Sequence, residues 1–245
     1  MNLGLYGFPQ GGQVTTAVAS TSGRWLRTTV FTANGTWNNM FDASYIVVYL
    51  LGAGGGGGGS KGAADYAAAG APGAGGGGCI KYILATSLGA TEAVSIGAGG
   101  TAGTNTPTDG SIGGASSFGA FCSASGGEGG RAQNISAPTI SGPTALGGIG
   151  TGGDVNFRGD SGFPVNGPYQ NFPGQSNPGA NGALPIGGAG ARGNQGTLTT
   201  SAFSGISADA NTGGGGSGGV SAYAAASPQA GGNGGSGLCV VYEFA

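Results

Sequence analysis

The sequence predicts an all-β fold: an antiparallel β-sandwich carrying a packed bundle of polyglycine-II helices with irregular distal loops. Three observations lead there. Glycine fills 62 of the 245 positions and proline another 11, and these residues interrupt ordinary helices. Many glycine tracts carry glycine at every third position, matching the three residues per turn of a polyproline-II-type helix. Short runs rich in β-branched and aromatic residues separate the tracts and read as strands. Low hydrophobicity alone would suggest disorder, but 7 basic and 9 acidic residues leave a net charge of only −2, too little self-repulsion to keep the chain expanded. Collagen is excluded because glycine stays below one third of the chain.

Residues 1–23 read as an N-terminal arm or docking segment, small and polar around Leu3, Leu5, Tyr6 and Phe8. The rest, 24–245, reads as the glycine-rich sandwich and bundle. Trp25 to Phe31 opens it as a strand, Asn34-Gly35 suits a tight turn, and Tyr45 to Leu51 is a nearly unbroken apolar strand. Further strands are expected at Cys79–Leu84, Ala93–Ile96, Ser117–Ser123 and Leu238–Phe244. In the last, alternation puts Leu238, Val240, Tyr242 and Phe244 on one face and Cys239, Val241 and Glu243 on the other.

Glycine tracts lie between these strands at 54–59, 75–78, 97–103, 147–153, 187–196, 213–219 and 231–237. A period of three aligns glycine along one edge of each helix. Helices packed on that edge can exchange N–H···O=C bonds, because no side chain separates them. Flexible linkers, the usual fate of glycine-rich sequence, have no reason to repeat at three.

The stretches 131–146, 154–186 and 197–212 are less repetitive and read as loops. In the middle one, Phe157, Arg158, Asp160, Phe163, Tyr169, Asn171 and Phe172 stand among five prolines. Rings on proline-stiffened loops lose little entropy on binding, so these seven are the candidate contact residues for a binding partner. For Phe157 and Phe172, pinning the loop onto the bundle is an equal reading.

Much chemistry is missing. Without histidine neither a Ser-His-Asp triad nor a His-ligated metal site can be built. Gly54–Gly59 runs into Ser60-Lys61, the reverse of the Gly-Lys-Ser/Thr order of a phosphate loop. Gly147 to Asp154 approaches a calcium-binding repeat, but the aspartate comes two positions late and the unit does not recur. Asp154 and Asp160 are the closest carboxylate pair for glycan hydrolysis, yet aspartates in such loops more often accept backbone N–H bonds. We therefore expect no catalytic residues, metal or cofactor. Seven scattered basic residues make no patch for nucleic acid. The longest apolar run, Tyr45–Leu51, falls far short of the roughly 20 residues of a membrane helix, and no basic residue precedes Arg24 to begin a secretory signal. Cys79, Cys122 and Cys239 are odd in number and lie in strand-like contexts, as buried free thiols do.

Phe31-Thr32-Ala33-Asn34-Gly35-Thr36-Trp37, the strand running into a glycine tract at Tyr45 to Gly59, Ser116-Ser117-Phe118-Gly119, and the closing tract into Leu238–Phe244 together resemble the glycine-rich C-terminal receptor-binding domains of tailed-bacteriophage tail fibres. The similarity covers roughly residues 24–245. It implies a tail-tip adhesin of the virion whose loops bind a bacterial surface receptor, whether polysaccharide, pilus or outer-membrane protein, during host attachment. It also implies contact with other tail or baseplate proteins through the N-terminal arm. A fibre shaft would imply a homotrimer, but only 23 residues precede the domain, which favours a separate tip protein or a very short fibre. The alternatives are an ice-binding polyglycine-II protein and a surface-glycan depolymerase. The irregular stretch 154–186 argues against the flat, regular face that ice requires.

Overall fold

A computed structural model describes residues 23–39, 43–63, 67–134, 144–163, 177–193, 202–221 and 227–245. The fold is all-β. Its strands are β1 (Trp25–Phe31), β2 (Gly35–Asn38), β3 (Tyr45–Leu51), β4 (Ser60–Lys61), β5 (Ala68–Ala69), β6 (Gly78–Leu84), β7 (Thr91–Ser95), β8 (Ser116–Phe118), β9 (Cys122–Ala124), β10 (Gln133–Asn134), β11 (Gly150–Thr151), β12 (Val155–Phe157), β13 (Val220–Ser221) and β14 (Leu238–Phe244). Two five-stranded antiparallel sheets, in the orders β1-β14-β3-β6-β12 and β11-β9-β8-β7-β2, face one another.

Alternation along the long strands explains the sandwich. β3 turns Ile46, Val48 and Leu50 inward, and β14 turns Cys239, Val241 and Glu243 inward, as its period of two requires. They meet Trp37, Val94 and Phe118 of the second sheet in one core. Glu243 is fully buried there. Its Oε1 accepts from Arg27 Nε at 2.8 Å, Arg27 Nη2 at 2.6 Å and Trp37 Nε1 at 3.0 Å, so the ion pair joins β1 to β14 and the Trp37 bond ties it to the other sheet.

One local expectation is corrected: Ser117–Ser123 is not one strand but the β8–β9 hairpin, turned at Gly119 with φ of 48°. Asn34-Gly35, expected to suit a tight turn, falls where the chain bends at 32–34 and passes from β1 to β2, which belong to different sheets. Asn34 fixes this crossover: its Oδ1 accepts the Ile96 N–H at 2.7 Å.

Beyond Leu51 the chain leaves the sandwich and enters the bundle. The extended segment 52–60 is buried throughout and six segments surround it. Its N–H groups at 52, 55 and 58 donate to Gly77, Ala74 and Ala71, and those at 53, 56 and 59 to Gly114, Ser111 and Thr108. Those at 54, 57 and 60 donate to Gly235, Gly232 and Gln229. All three acceptor segments run antiparallel to it. Its carbonyls accept from three parallel segments: residue 54 from Gly100 and 57 from Gly103, 53 from Gly127 and 56 from Gly130, 55 from Gly216 and 58 from Gly219. The N–H groups thus point outward in three directions and the carbonyls in three others, each direction recurring every three residues.

This geometry explains the composition. A Cβ on Gly54 or Gly57 would meet Gly214 or Ser217, on Gly55 or Gly58 would meet Glu128 or Arg131, and on Gly56 or Gly59 would meet Thr101 or Thr104. The central segment is therefore glycine at every position from 54 to 59, whereas an outer segment keeps glycine only on its covered edge. In 97–104, Gly97, Gly100 and Gly103 are buried while Ala98, Thr101 and Thr104 face solvent.

The long stretches expected to be loops are partly built into this frame. β12 pairs with β6, and 177–183 joins the bundle, with Ala180 donating to Gly73 and Ala183 to Gly76. Ser217 accepts the Ile206 N–H through its Oγ at 2.8 Å and holds 202–208 to the centre. Such segments read as irregular because their backbone bonds go to neighbours far along the chain and leave no local pattern.

Candidate binding surface

Sandwich and bundle are joined end to end, so the bundle has a far end, where 52–60 finishes. Described residues flanking the internal segments 64–66, 135–143, 164–176, 194–201 and 222–226 lie in that far half, whereas those flanking 40–42 belong to the sandwich. Asn134 pairs with Lys61, Ser221 with Ala68, and Phe203 with Val220. Gly162 stands against Pro72, and Gln229 bridges Ser60. The exposed side chains there are polar with a few apolar ones. Arg131 pairs with Asp109 at 3.0 Å, and the other Asp109 oxygen accepts the Ala132 N–H at 2.7 Å. Phe163 is 63 % exposed. Ser204 Oγ lies 3.1 Å from Gln229 Oε1.

The seven residues expected to make contact divide. Phe157, Arg158 and Asp160 line one cleft of about 420 Å³ together with Asn181 and the 182–189 turn. Phe157 ends β12 opposite Gly78, so this cleft sits beside the sandwich and not at the far end. Arg158 bridges Ile149 through its backbone and reaches the Gly147 carbonyl with Nη1 at 3.4 Å. Asp160 accepts from Asn181 Nδ2 at 2.9 Å, and Asn181 Oδ1 accepts the Gly190 N–H at 3.2 Å. Its backbone carbonyl accepts from Gly75, so Asp160 also stitches three segments together. Phe163 lies apart, one turn farther out. Tyr169, Asn171 and Phe172 lie outside the described residues, as does the arm 1–22.

Asp154 has a structural partner set. It accepts from Lys81 Nζ at 2.9 Å and from the Tyr82 N–H at 2.7 Å, and these bonds hold its carboxyl below the ordinary carboxylate range. The three cysteines converge in the sandwich core, buried and unpaired. A hydrogen bond with Cys79 and then burial push the Cys122 thiol up, and burial, followed by the charge of Cys79, pushes Cys239 up to about 12. Among the described residues no group of three His, Cys, Asp or Glu is placed to hold a metal ion. The N–H groups of Gly54–Gly59, which resemble a phosphate cradle in sequence, all donate to backbone carbonyls.

Sequence reasoning placed Arg131 and Phe203 only within the flanking loops 131–146 and 197–212 without singling them out, and it missed Asp109, whose one signal was its place just before Gly110. The sequence profile of a family described as a glycine-rich domain matches residues 28–243. No curated protein matches the chain.

Proposed function

We propose, for a chain that belongs to the family of glycine-rich domains over residues 28–243, that it is a tail-tip adhesin of a tailed bacteriophage and binds a bacterial surface receptor through the far end of the bundle. The glycine segments act as polyglycine-II helices, a frame that displays loops. One observation carries the reading: the described flanks of five internal segments gather in the half of the bundle away from the sandwich. Binding residues concentrate on loops positioned by a rigid scaffold, and backbone bonds from the central segment to six neighbours make this scaffold rigid. The exposed Phe163 supplies an aromatic anchor and Arg131, held by Asp109, an arginine, two residue types enriched in interfaces. Phe157, Arg158 and Asp160 form a flanking site nearer the sandwich, the end by which tail or baseplate proteins would carry the chain.

The test is saturable binding of the labelled, purified chain to a panel of bacterial strains and to their isolated polysaccharide, pilus and outer-membrane fractions. Saturable binding to one fraction supports the adhesin. Release of sugar from that fraction would make the chain a depolymerase instead. Thermal hysteresis without cell binding would make it an ice-binding protein.

A further inference from the structure

The outer face of the first sheet is apolar and, among the described residues, uncovered. Its residues stand in cross-strand rows, one of them Trp25, Phe244, Tyr45 and Leu84. Tyr45 stacks on Phe244 at 4.9 Å and lies 4.8 Å from Tyr82, and Tyr49 meets Tyr242 edge-on at 5.6 Å. Trp25, Val30, Tyr82, Leu84 and Val155 are 59, 56, 46, 51 and 48 % exposed. The charged residues of these strands lie elsewhere: Glu243 points into the core with Arg27 bonded to it, and Lys81 turns to Asp154. A contiguous exposed apolar face of this kind marks an interaction site.

Its size argues for a short occupant. Five strands of up to seven residues span roughly 19 by 23 Å, on the order of 400 Å². A stable dimer covers about 800 Å² on each partner, so the face is about half of what a second copy needs.

The chain's own beginning fits. Residues 1–22 contain no charged side chain, and the apolar ones start with Leu3, Leu5, Tyr6 and Phe8. The segment arrives at a corner of this face. Gly23 donates its N–H to the Ala245 carbonyl, lies beside the Tyr45 hydroxyl, and has φ of 97°, a conformation natural to glycine that turns the incoming backbone. Twenty-two residues reach up to about 70 Å when extended, three times the length of the face. The absence of charge on both surfaces removes any cost of burying ions between them.

We propose that Leu3, Leu5, Tyr6 and Phe8 lie on the outer face of the first sheet, over Tyr45, Tyr49 and Tyr82. The arm is then a cover for the sandwich and not a free tether, whatever the far end binds.

Replacing Phe8 by p-benzoylphenylalanine in the full chain, mixing light and heavy isotopic forms, and irradiating the mixture tests this. The expected product joins residue 8 to a peptide within 45–49, 80–84 or 238–244 of the same chain. Products joining light to heavy chains would mean that a second copy covers the face. Adducts elsewhere, or none, would also overturn the assignment. A second measurement uses the full-chain double variant L5D/F8D, which leaves every core residue in place. It should bind anilinonaphthalene sulfonate several-fold more strongly than the unaltered chain, and equal binding by the two would overturn the proposal.

Discussion

Gly57 passes Ser217 so closely that a Cβ on the glycine would stand 2.1 Å from the serine's carbonyl oxygen. No side chain can occupy that space without moving a backbone. Gly57 also donates to Gly232 at 2.8 Å and accepts from Gly103 at 2.8 Å, so displacement would break bonds to several neighbours at once.

Gly57→Val should therefore cost on the order of 5 kcal/mol, from two or three buried amides losing partners at ~1–3 kcal/mol each. That is comparable to a whole domain's stability, and the variant should fold poorly or melt far below the parent. Gly190→Val tests the periphery, where a Cβ would lie 2.1 Å from the Gly179 oxygen. Gly89→Ala is the control: it is exposed, and the nearest atom to its Cβ is 3.5 Å away. Its change should stay within about 0.5 kcal/mol. Calorimetry on the three variants decides it, and an unchanged melting temperature for Gly57→Val would show that the tracts are not tightly packed.

Arg27 and Glu243 make the second test. The carboxylate is fully buried and the guanidinium only 28 % exposed. Arg27→Met would leave a buried charge with Trp37 Nε1 still donating to it, and breaking such a pair costs about 3–5 kcal/mol. Adding Glu243→Gln to that variant should recover part of the loss, because a neutral amide is cheaper to bury. Urea denaturation of the single and double variants checks both steps. A double variant less stable than Arg27→Met would mean that the carboxylate has other essential partners.

The sequence revealed the strands whose pattern is local. β3 and β14 alternate over seven residues each, and the burial of Ile46, Val48 and Leu50 and of Cys239, Val241 and Glu243 follows from counting by two. β12 was hidden because three residues, Val155–Phe157, are too few to alternate. The separation of β1 from β2 was hidden because β2 pairs with the distant β7 and Asn34 accepts the Ile96 N–H, 62 positions away. In the bundle, the six-glycine run announced that side chains are forbidden, but not which neighbours forbid them. The same limit applies to the surface: Asp109 and Arg131 are 22 residues apart and meet only because 108–114 and 125–133 both pack against 52–60.

The thiols give a pH dependence. Cys239 is pushed from 9.0 up to about 12 by burial, whereas the hydrogen bond between Cys79 and Cys122 pushes the first down and the second up. In the unfolded chain the Cys239 thiol loses its proton first, so the unfolded state binds fewer protons above pH 9 and is favoured as pH rises. The stability this thiol contributes is complete below pH 9 and is lost progressively towards pH 12. Below pH 9, native titration with a thiol reagent should find little reactive sulfhydryl, and all three should appear on denaturation. Changing Cys239 to Ala should flatten the alkaline loss of stability. An alkaline loss as steep in this variant as in the parent would assign it to other groups.

The last prediction separates the far end of the bundle from the cleft. Phe163 is exposed at the far end and begins the stretch that leads to Tyr169, whereas Arg158 lies in the cleft with Phe157, Asp160 and Asn181. An aromatic anchor contributes to binding through area that its truncation removes, while Arg158 already reaches the Gly147 carbonyl. On the proposed adhesin function, the double variant Phe163→Ala, Tyr169→Ala should therefore weaken binding to the bacterial surface at least tenfold, about 1.4 kcal/mol. Its melting temperature should stay unchanged, since Phe163 is mostly in solvent. Arg158→Ala should weaken binding less and lower the melting temperature slightly through its lost backbone contact. The reverse pattern, with adsorption lost in Arg158→Ala and kept in the aromatic double variant, would move the receptor site from the far end to the cleft.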